Sequence, residues 1–516
     1  MRVAAGRYAP SLRSPWWRGA AALASGGLAV LVFPQPSLWW LAYVALVPLI
    51  LLIRTAATPG RAVLDGWLGG TGCVIAVQQW LIPNLTVFVL PIGALLGLAW
   101  IPFGWLVRRL LGGTPGPGRA AAGVLLLPAA WLLGEVVRSW QYLGGPWGLL
   151  GASQWQVPPA LRLASVGGVW LVSYLLVAVN TALAALIALP RARTVALAAL
   201  LAVAVLVAEV WSLVPLPPRT GSVRIAIVQP GVISGPMARF DRGVRLTRQL
   251  VGHRPDLVVW GESSVGFDLS AHPGQAARLA DLSRRVGADI LVNVDAQRAD
   301  RRGIYKASVL VGPHGPTGDR YDKMRLVPFG EYIPFRSVLG WATEVGRAAK
   351  VNRQRGTHQV IMNVGSFRIG PMISFETAFP DMSRHLAIRG AQVLVVQESV
   401  STFQGSWAPA QQTSLAAVRA AETGRPMVDA TLTGISAVYD AGGHQIGPRL
   451  GTTASTVRMY TVPLAGGRSV YVRSGDWMIC AALGLLAVAG GYEVIRVVVM
   501  ARRRRPRINS PASKAG

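Results

Sequence analysis

The sequence predicts a chain of two textures: a polytopic α-helical membrane domain of about eight transmembrane helices, and an α/β layered domain set between the seventh and the eighth. Three observations lead there. Apolar residues fill 52 % of the 516 positions and charged residues only 14 %, a shortage of charge that ordinary soluble domains do not show. Apolar stretches of membrane-spanning length or slightly less recur along the first 213 residues and once near the C-terminus. Between them the pattern changes to short β-rich runs separated by helix-like segments. The same composition argues against disorder and against a purely cytosolic enzyme.

The apolar stretches lie at 19–34, 37–53, 64–82, 85–107, 120–137, 166–189 and 194–213, with one more at 477–500. Arg2, Arg7, Arg13 and Arg18 precede the first, as they would a cleaved signal peptide, but six further spans favour an uncleaved helix. Basic residues accumulate on the cytoplasmic side of spans. Arg54 and Arg61 follow the second span, Arg108, Arg109 and Arg119 the fourth, Arg191 and Arg193 the sixth, and the tail reads ARRRRPR. These are alternate loops, so both termini are expected in the cytoplasm and the segment after the seventh span on the outer side. The expected division is a transmembrane domain at 1–214 with seven helices, an extracytoplasmic domain at 215–475, a C-terminal transmembrane helix at 476–500 and a basic cytoplasmic tail at 501–516.

The extracytoplasmic domain opens after the breaker PLPPRTGS at 215–222. Strands are expected in VRIAIVQ (223–229), DLVVWGE (256–262), ADILVNVDA (288–296), ASVLVG (307–312), FRIGPMIS (367–374) and AQVLVVQES (391–399), and helices at 236–252, 273–286 and 406–423. That order reads as a layered α/β fold with buried strands. Its 31 basic and 18 acidic residues favour the anionic face of a membrane, or reflect an arginine-rich composition with no partner behind it. Cys73 and Cys480 sit inside apolar runs, which excludes a disulfide framework and a cysteine-based zinc site. The six histidines are scattered, and neither HExxH nor a Walker loop occurs, so no metal and no cofactor is expected.

Of the 51 basic residues only Lys306, Lys323, Lys350 and Lys514 are lysine. Where charge alone is needed this chain uses arginine, so a lysine points to a compact ammonium whose pKa can shift. Three segments place a reactive side chain at a strand end, where layered α/β folds commonly build sites: Glu262 in WGESS, Lys323 in YDKMRLVPFGEYIPF and Ser374 in IGPMISFETAF. A carboxylate, an amine and a hydroxyl suffice for covalent acyl transfer, the base taking the nucleophile's proton while the cation holds the oxyanion. Each also has a plainer reading, as a cap, a surface charge or one serine among many.

The block at 321–335 resembles the signature of the bacterial apolipoprotein N-acyltransferases, a membrane branch of the nitrilase, or carbon-nitrogen hydrolase, superfamily. FPQPSLWWLAYVALVPLI (33–50), SWQYLGGPWGLLGASQW (139–155) and RAAETGRPMVDATLTGISAVYDAGG (419–443) look like further family blocks, in family order. The resemblance implies a nitrilase-type αββα sandwich on an eight-helix membrane base. It also implies a triad of Glu262 as general base, Lys323 as oxyanion-stabilising cation and position 374 as nucleophile. Glu331 would be a second, assisting carboxylate, with Phe375 and Glu376 lining the pocket. The chain departs from the family pattern at Ser374, where ISFE replaces a segment like ICYE, at Arg325, where histidine is usual, and in QESVSTFQG at 397–405, where an asparagine- and tryptophan-bearing loop is usual. An alcohol stays protonated until attack, so Glu262 carries more of the work than beside a thiol.

The implied reaction takes an acyl chain from a phospholipid onto position 374. It then passes the chain to the α-amino group of the S-diacylglyceryl-cysteine that begins a lipoprotein. The expected partners are that phospholipid donor, a diacylated lipoprotein acceptor and membrane lipids, without nucleic acid, for a monomer in the bacterial cytoplasmic membrane. Two alternatives stay open: a catalytically impaired relative that acts as a binding partner, and a membrane-tethered amidase or esterase.

Overall fold

The computed structural model describes residues 14–340 and 351–503. Arg2, Arg7, Arg13, Lys350, Lys514 and the tail beyond residue 503 lie outside the described residues.

Each expected apolar stretch contains helix. Among the described residues five runs are long and apolar enough to cross a membrane: Gln79–Leu111, Pro117–Arg138, Pro158–Ala188, Pro190–Leu213 and Trp477–Met500. The first two stretches and the third are held in shorter pieces, Pro15–Gly27, Val47–Arg54 and Pro59–Val77. Between 79 and 111 the helix is interrupted repeatedly, with Pro83, Pro91 and Pro102 inside it, and each proline withholds an N–H donor from the ladder. The last helix, Trp477–Arg503, runs three residues into the expected tail.

Close packing here depends on glycine. A Cβ on Gly26 would stand 1.9 Å from the Gly69 carbonyl oxygen, and one on Gly72 1.9 Å from that of Leu23. Helices Pro15–Gly27 and Pro59–Val77 therefore touch backbone to backbone, the contact that small residues permit inside a bilayer. At one end of this pair Asp65 is clamped by Arg18 and Arg61, both at 2.8 Å.

Beyond residue 218 two sheets stack. The first has the order β11-β1-β2-β3-β4-β5, with β1 at Arg219–Gln229, β2 at Leu257–Trp260, β3 at Asp289–Gln297, β4 at Ile304–Gly312, β5 at Gly315–Asp322 and β11 at Thr456–Ala465. The second runs β10-β9-β8-β7-β6, with β6 at Met362–Val364, β7 at Phe367–Ile373, β8 at Val393–Glu398, β9 at Met427–Thr431 and β10 at Ala437–Tyr439. The central pairs β1/β2, β2/β3, β7/β8 and β8/β9 are parallel. Such strands are covered on both faces and read as continuous apolar runs. Thus Leu257 and Val259 join the core shared with the second sheet, whereas Val258 and Trp260 join the cluster under helices Pro236–Thr247 and Pro273–Val286. Leu257, Val258 and Val259 each contribute about 1.5–3 kcal/mol by leaving water.

Helices Pro380–Ile388 and Ala408–Thr423 cover the second sheet, completing an αββα sandwich, and Ala408–Thr423 also packs on the membrane helix Pro158–Ala188. That membrane helix breaks at Gly167 and Gly168, the latter at φ +67°, a conformation glycine adopts without steric cost. Glu422 of the head caps the break by accepting the Val169 N–H at 2.6 Å, while its other oxygen lies 3.0 Å from Arg419. This buried carboxylate is one of the links between the α/β domain, or head, and the membrane part.

Candidate active site

The site lies where β2, β7 and β8 end and where the chain leaves β5. Glu262 follows β2, and its backbone N–H is held by the Glu398 carbonyl at the end of β8 (3.0 Å). Lys323 follows β5, its backbone N–H bonded to the Lys306 carbonyl of β4 (2.8 Å). Its ammonium, fully enclosed, donates to Glu262 Oε1 at 3.0 Å and to Glu331 Oε1 at 2.9 Å. Three of the residues singled out in the sequence therefore form one ionic cluster.

Sequence reasoning missed its fourth member. Lys306 Nζ lies 2.9 Å from the same Oε1 of Glu262, 2.8 Å from the same Oε1 of Glu331, and 3.9 Å from Asp295. Burial alone would lower both lysines, but Glu262 and Glu331 reverse this and hold Lys306 and Lys323 above the ordinary ammonium value. Burial works in the opposite sense on Glu331, yet Lys306 and Lys323 bring its carboxyl below the usual carboxylate range. Both ammonium groups are thereby charged near neutral pH and Glu331 is ionised. Both lysines converge on Oε1 of Glu262, and its Oε2 takes part in no hydrogen bond among the described residues.

Ser374 stands at the turn where β7 stops, at φ +52°. A left-handed conformation is uncommon for a non-glycine residue. Two ties link this turn to the segments that flank the ionic cluster. Glu376, fully buried, accepts the backbone N–H groups of Met324 (2.7 Å) and Arg325 (3.0 Å) and the Tyr321 hydroxyl (2.7 Å) on one oxygen, and the Ile373 N–H (2.8 Å) on the other. One carboxylate thus clips the strand before Ser374 to the residues after Lys323. The second tie is Gln412, which donates to the Ser374 carbonyl (3.2 Å) and to Glu398. Burial raises the carboxyl of Glu376 above its ordinary value, opposed by the donors around it. Burial, with Asp429 beside it, raises Glu398 further.

The expected outer loop at 139–155 covers this region. Gln141 accepts from Arg325 (2.7 Å), which also bonds Asp381 (2.8 Å) and lies over the Phe379 ring. Gly145 sits so close to Phe375 and Phe379 that a Cβ would come within 2.8 and 2.7 Å of their rings. Trp80 and Trp147 both donate to Gln411 (3.1 and 2.8 Å). Phe375 is thus a wall shared by head and membrane part, whereas Glu376 is a tie behind it. Behind the site, Gln397 joins the two sheets, donating to the Trp260 and Leu291 carbonyls (2.7 and 3.2 Å) while accepting from Ser308.

A carboxylate shared by two ammonium groups offers a base and an oxyanion-holding cation, and the Glu376 clip ties the Ser374 turn to the segment that bears Lys323. Comparison with known proteins gives the setting. Residues 25–182 match the family described as the apolipoprotein N-acyltransferase N-terminal domain, and residues 224–471 match the carbon-nitrogen hydrolase family. A protein of Azotobacter vinelandii named apolipoprotein N-acyltransferase is 31 % identical over 93 % of this chain and 96 % of its own. One of the same name from Geobacter metallireducens is 28 % identical over 90 % of this chain and 94 % of its own. Among solved structures, an amidase from Nesterenkonia sp. AN1 is similar at 18 % identity over 50 % of this chain and 98 % of that one, with a TM-score of 0.35.

Proposed function

From the premise that this chain belongs to the apolipoprotein N-acyltransferase family and is an acyltransferase of the nitrilase superfamily, we propose that Ser374 carries the acyl group. In the first half-reaction Ser374 Oγ attacks the ester carbonyl of a phospholipid, its proton passes to Glu262, and Lys323 holds the oxyanion. Collapse breaks the bond to the glycerol oxygen, which leaves as lysophospholipid with the proton from Glu262. In the second, the α-amine of a diacylglyceryl-cysteine attacks the serine ester, gives its proton to Glu262, and the returning proton restores the Ser374 hydroxyl. Glu331 holds the ammonium of Lys323 in place.

The observation that carries this reading is the clip made by Glu376, which ties the Ser374 turn to the segment bearing Lys323 and Glu331, whose charged groups meet Glu262. The membrane base supplies proximity, since donor and acceptor both lie in the bilayer. On this reading residues 215–475 lie outside the cytoplasmic membrane with both termini inside, as the arginine-bearing loops imply, and the protein acts as a monomer. Phe375 and the 139–155 loop seat the acyl chain.

The test incubates purified protein with phospholipid vesicles and a synthetic diacylated lipopeptide. Triacylated lipopeptide supports the proposal. Free fatty acid without N-acylated peptide would replace it with hydrolysis, and neither product would make the chain a non-catalytic binding partner.

A further inference from the structure

Lys306 and Lys323 stand directly opposite one another across the β4–β5 pair, because Ala307 pairs with Asp322 and the next backbone bond joins Lys323 to Lys306. Like charges at facing positions are destabilising in a sheet, and in this chain positive charge is arginine in 47 of 51 cases. Two of its four lysines nevertheless meet here. The pair is tolerated because Glu262 and Glu331 each reach both ammonium groups at 2.8–3.0 Å. The four groups sum to zero charge.

Charge balance during the reaction then distinguishes the two cations. When Glu262 takes the serine proton it becomes neutral, and the oxyanion appears beside Lys323. With one lysine, Glu331 and the oxyanion would compete for a single ammonium. With two, Lys306 satisfies Glu331 and Lys323 is released to the oxyanion. The position of Lys306 suits that part: its side chain is 13 % exposed, at the open side of the cluster, whereas Lys323 is fully enclosed.

Resting on the acyl-transfer reading above, we infer that Lys306 is a positioning residue for this reaction: a second ammonium that neutralises Glu331 and steadies Glu262, so that Lys323 is uncommitted when the oxyanion forms. The charged groups facing Lys306 are Glu262, Glu331, Asp295 and Lys323, with Arg353 behind Asp295 at 3.3 Å.

The experiment measures the rate of Ser374 acylation by phosphatidylethanolamine vesicles from pH 4 to 9, by intact mass, for the wild type, Lys306→Met and Lys306→Arg. Removing one cation from two carboxylates raises their proton affinity, so the acid limb of the Lys306→Met profile should move up by about one pH unit or more. Its plateau should fall roughly ten- to a hundredfold. Lys306→Arg keeps the charge and should keep the wild-type limb, whereas a purely steric role for Lys306 would leave the limb unmoved in both variants. An unmoved limb in a folded Lys306→Met protein overturns the inference and leaves the acyl-transfer reading standing. If the methionine variant does not fold, Lys306→Gln is read by the same criterion. A wild type that forms no adduct at any pH overturns both.

Discussion

Glu376→Gln tests how the Ser374 turn is kept in register with the lysine segment. The carboxylate accepts four hydrogen bonds, three on one oxygen and one on the other. Glutamine can turn its carbonyl toward Tyr321, Met324 and Arg325, but its NH2 then faces the Ile373 N–H, donor against donor. A bond to a charged group is worth about 1.5–3 kcal/mol and a neutral one about 1 kcal/mol. One bond lost and three weakened therefore cost roughly 5 kcal/mol, less what is recovered by no longer burying a charge, for a net loss of about 2–4 kcal/mol. The functional loss should exceed what unfolding explains, because a shift on the order of 1 Å between reacting groups can cost about a hundredfold in rate. Thermal unfolding in detergent and the rate of acyl-adduct formation at 20 °C below the variant's midpoint would be measured together. A Glu376→Gln protein with wild-type midpoint and wild-type rate would refute the idea that this carboxylate sets the register.

Other outcomes follow from the same contacts. Arg419→Met leaves Glu422 buried at the break in the membrane helix, so the melting temperature should fall by the equivalent of about 3–5 kcal/mol; an unchanged midpoint would show that the head is held on by other contacts. Burial raises Asp429 to about 7, above an unfolded value near 4. The stabilisation from its retained proton is complete below about pH 4 and is lost as pH rises through about 7. Between those values the wild-type midpoint should therefore fall relative to that of Asp429→Asn, and parallel curves would contradict the assignment. Gly145→Val forces a branched side chain into a φ of +70° and against the Phe375 and Phe379 rings. It should slow Ser374 acylation roughly tenfold or more while leaving the far-ultraviolet circular dichroism unchanged.

Much of this organisation was legible in the residues, for identifiable reasons. Buried parallel strands need uninterrupted apolar runs, so DLVVWGE and AQVLVVQES are legible as strands, and the end of the first locates Glu262, whereas the Glu398 carbonyl that holds the Glu262 N–H emerges only from the packing. The helices at 39–54 and 79–111 are broken where the sequence suggests plain spans, because hydropathy records composition while prolines decide where the ladder stops. Lys306 was the instructive omission. The scarcity of lysine pointed at it as much as at Lys323, but it lies inside β4 rather than at a strand end, and only the register of β4 against β5 brings it beside Lys323. Gln412 and Glu422 had no local signal, since each acts on a residue distant in sequence.

The most direct measurement is the mass of the protein after incubation with phosphatidylethanolamine vesicles alone, followed by peptide mapping. The account predicts one added acyl chain located on Ser374, absent from Ser374→Ala and retained in Ser374→Cys. A chain found on another residue, or an alanine variant that still acylates and transfers, would contradict it.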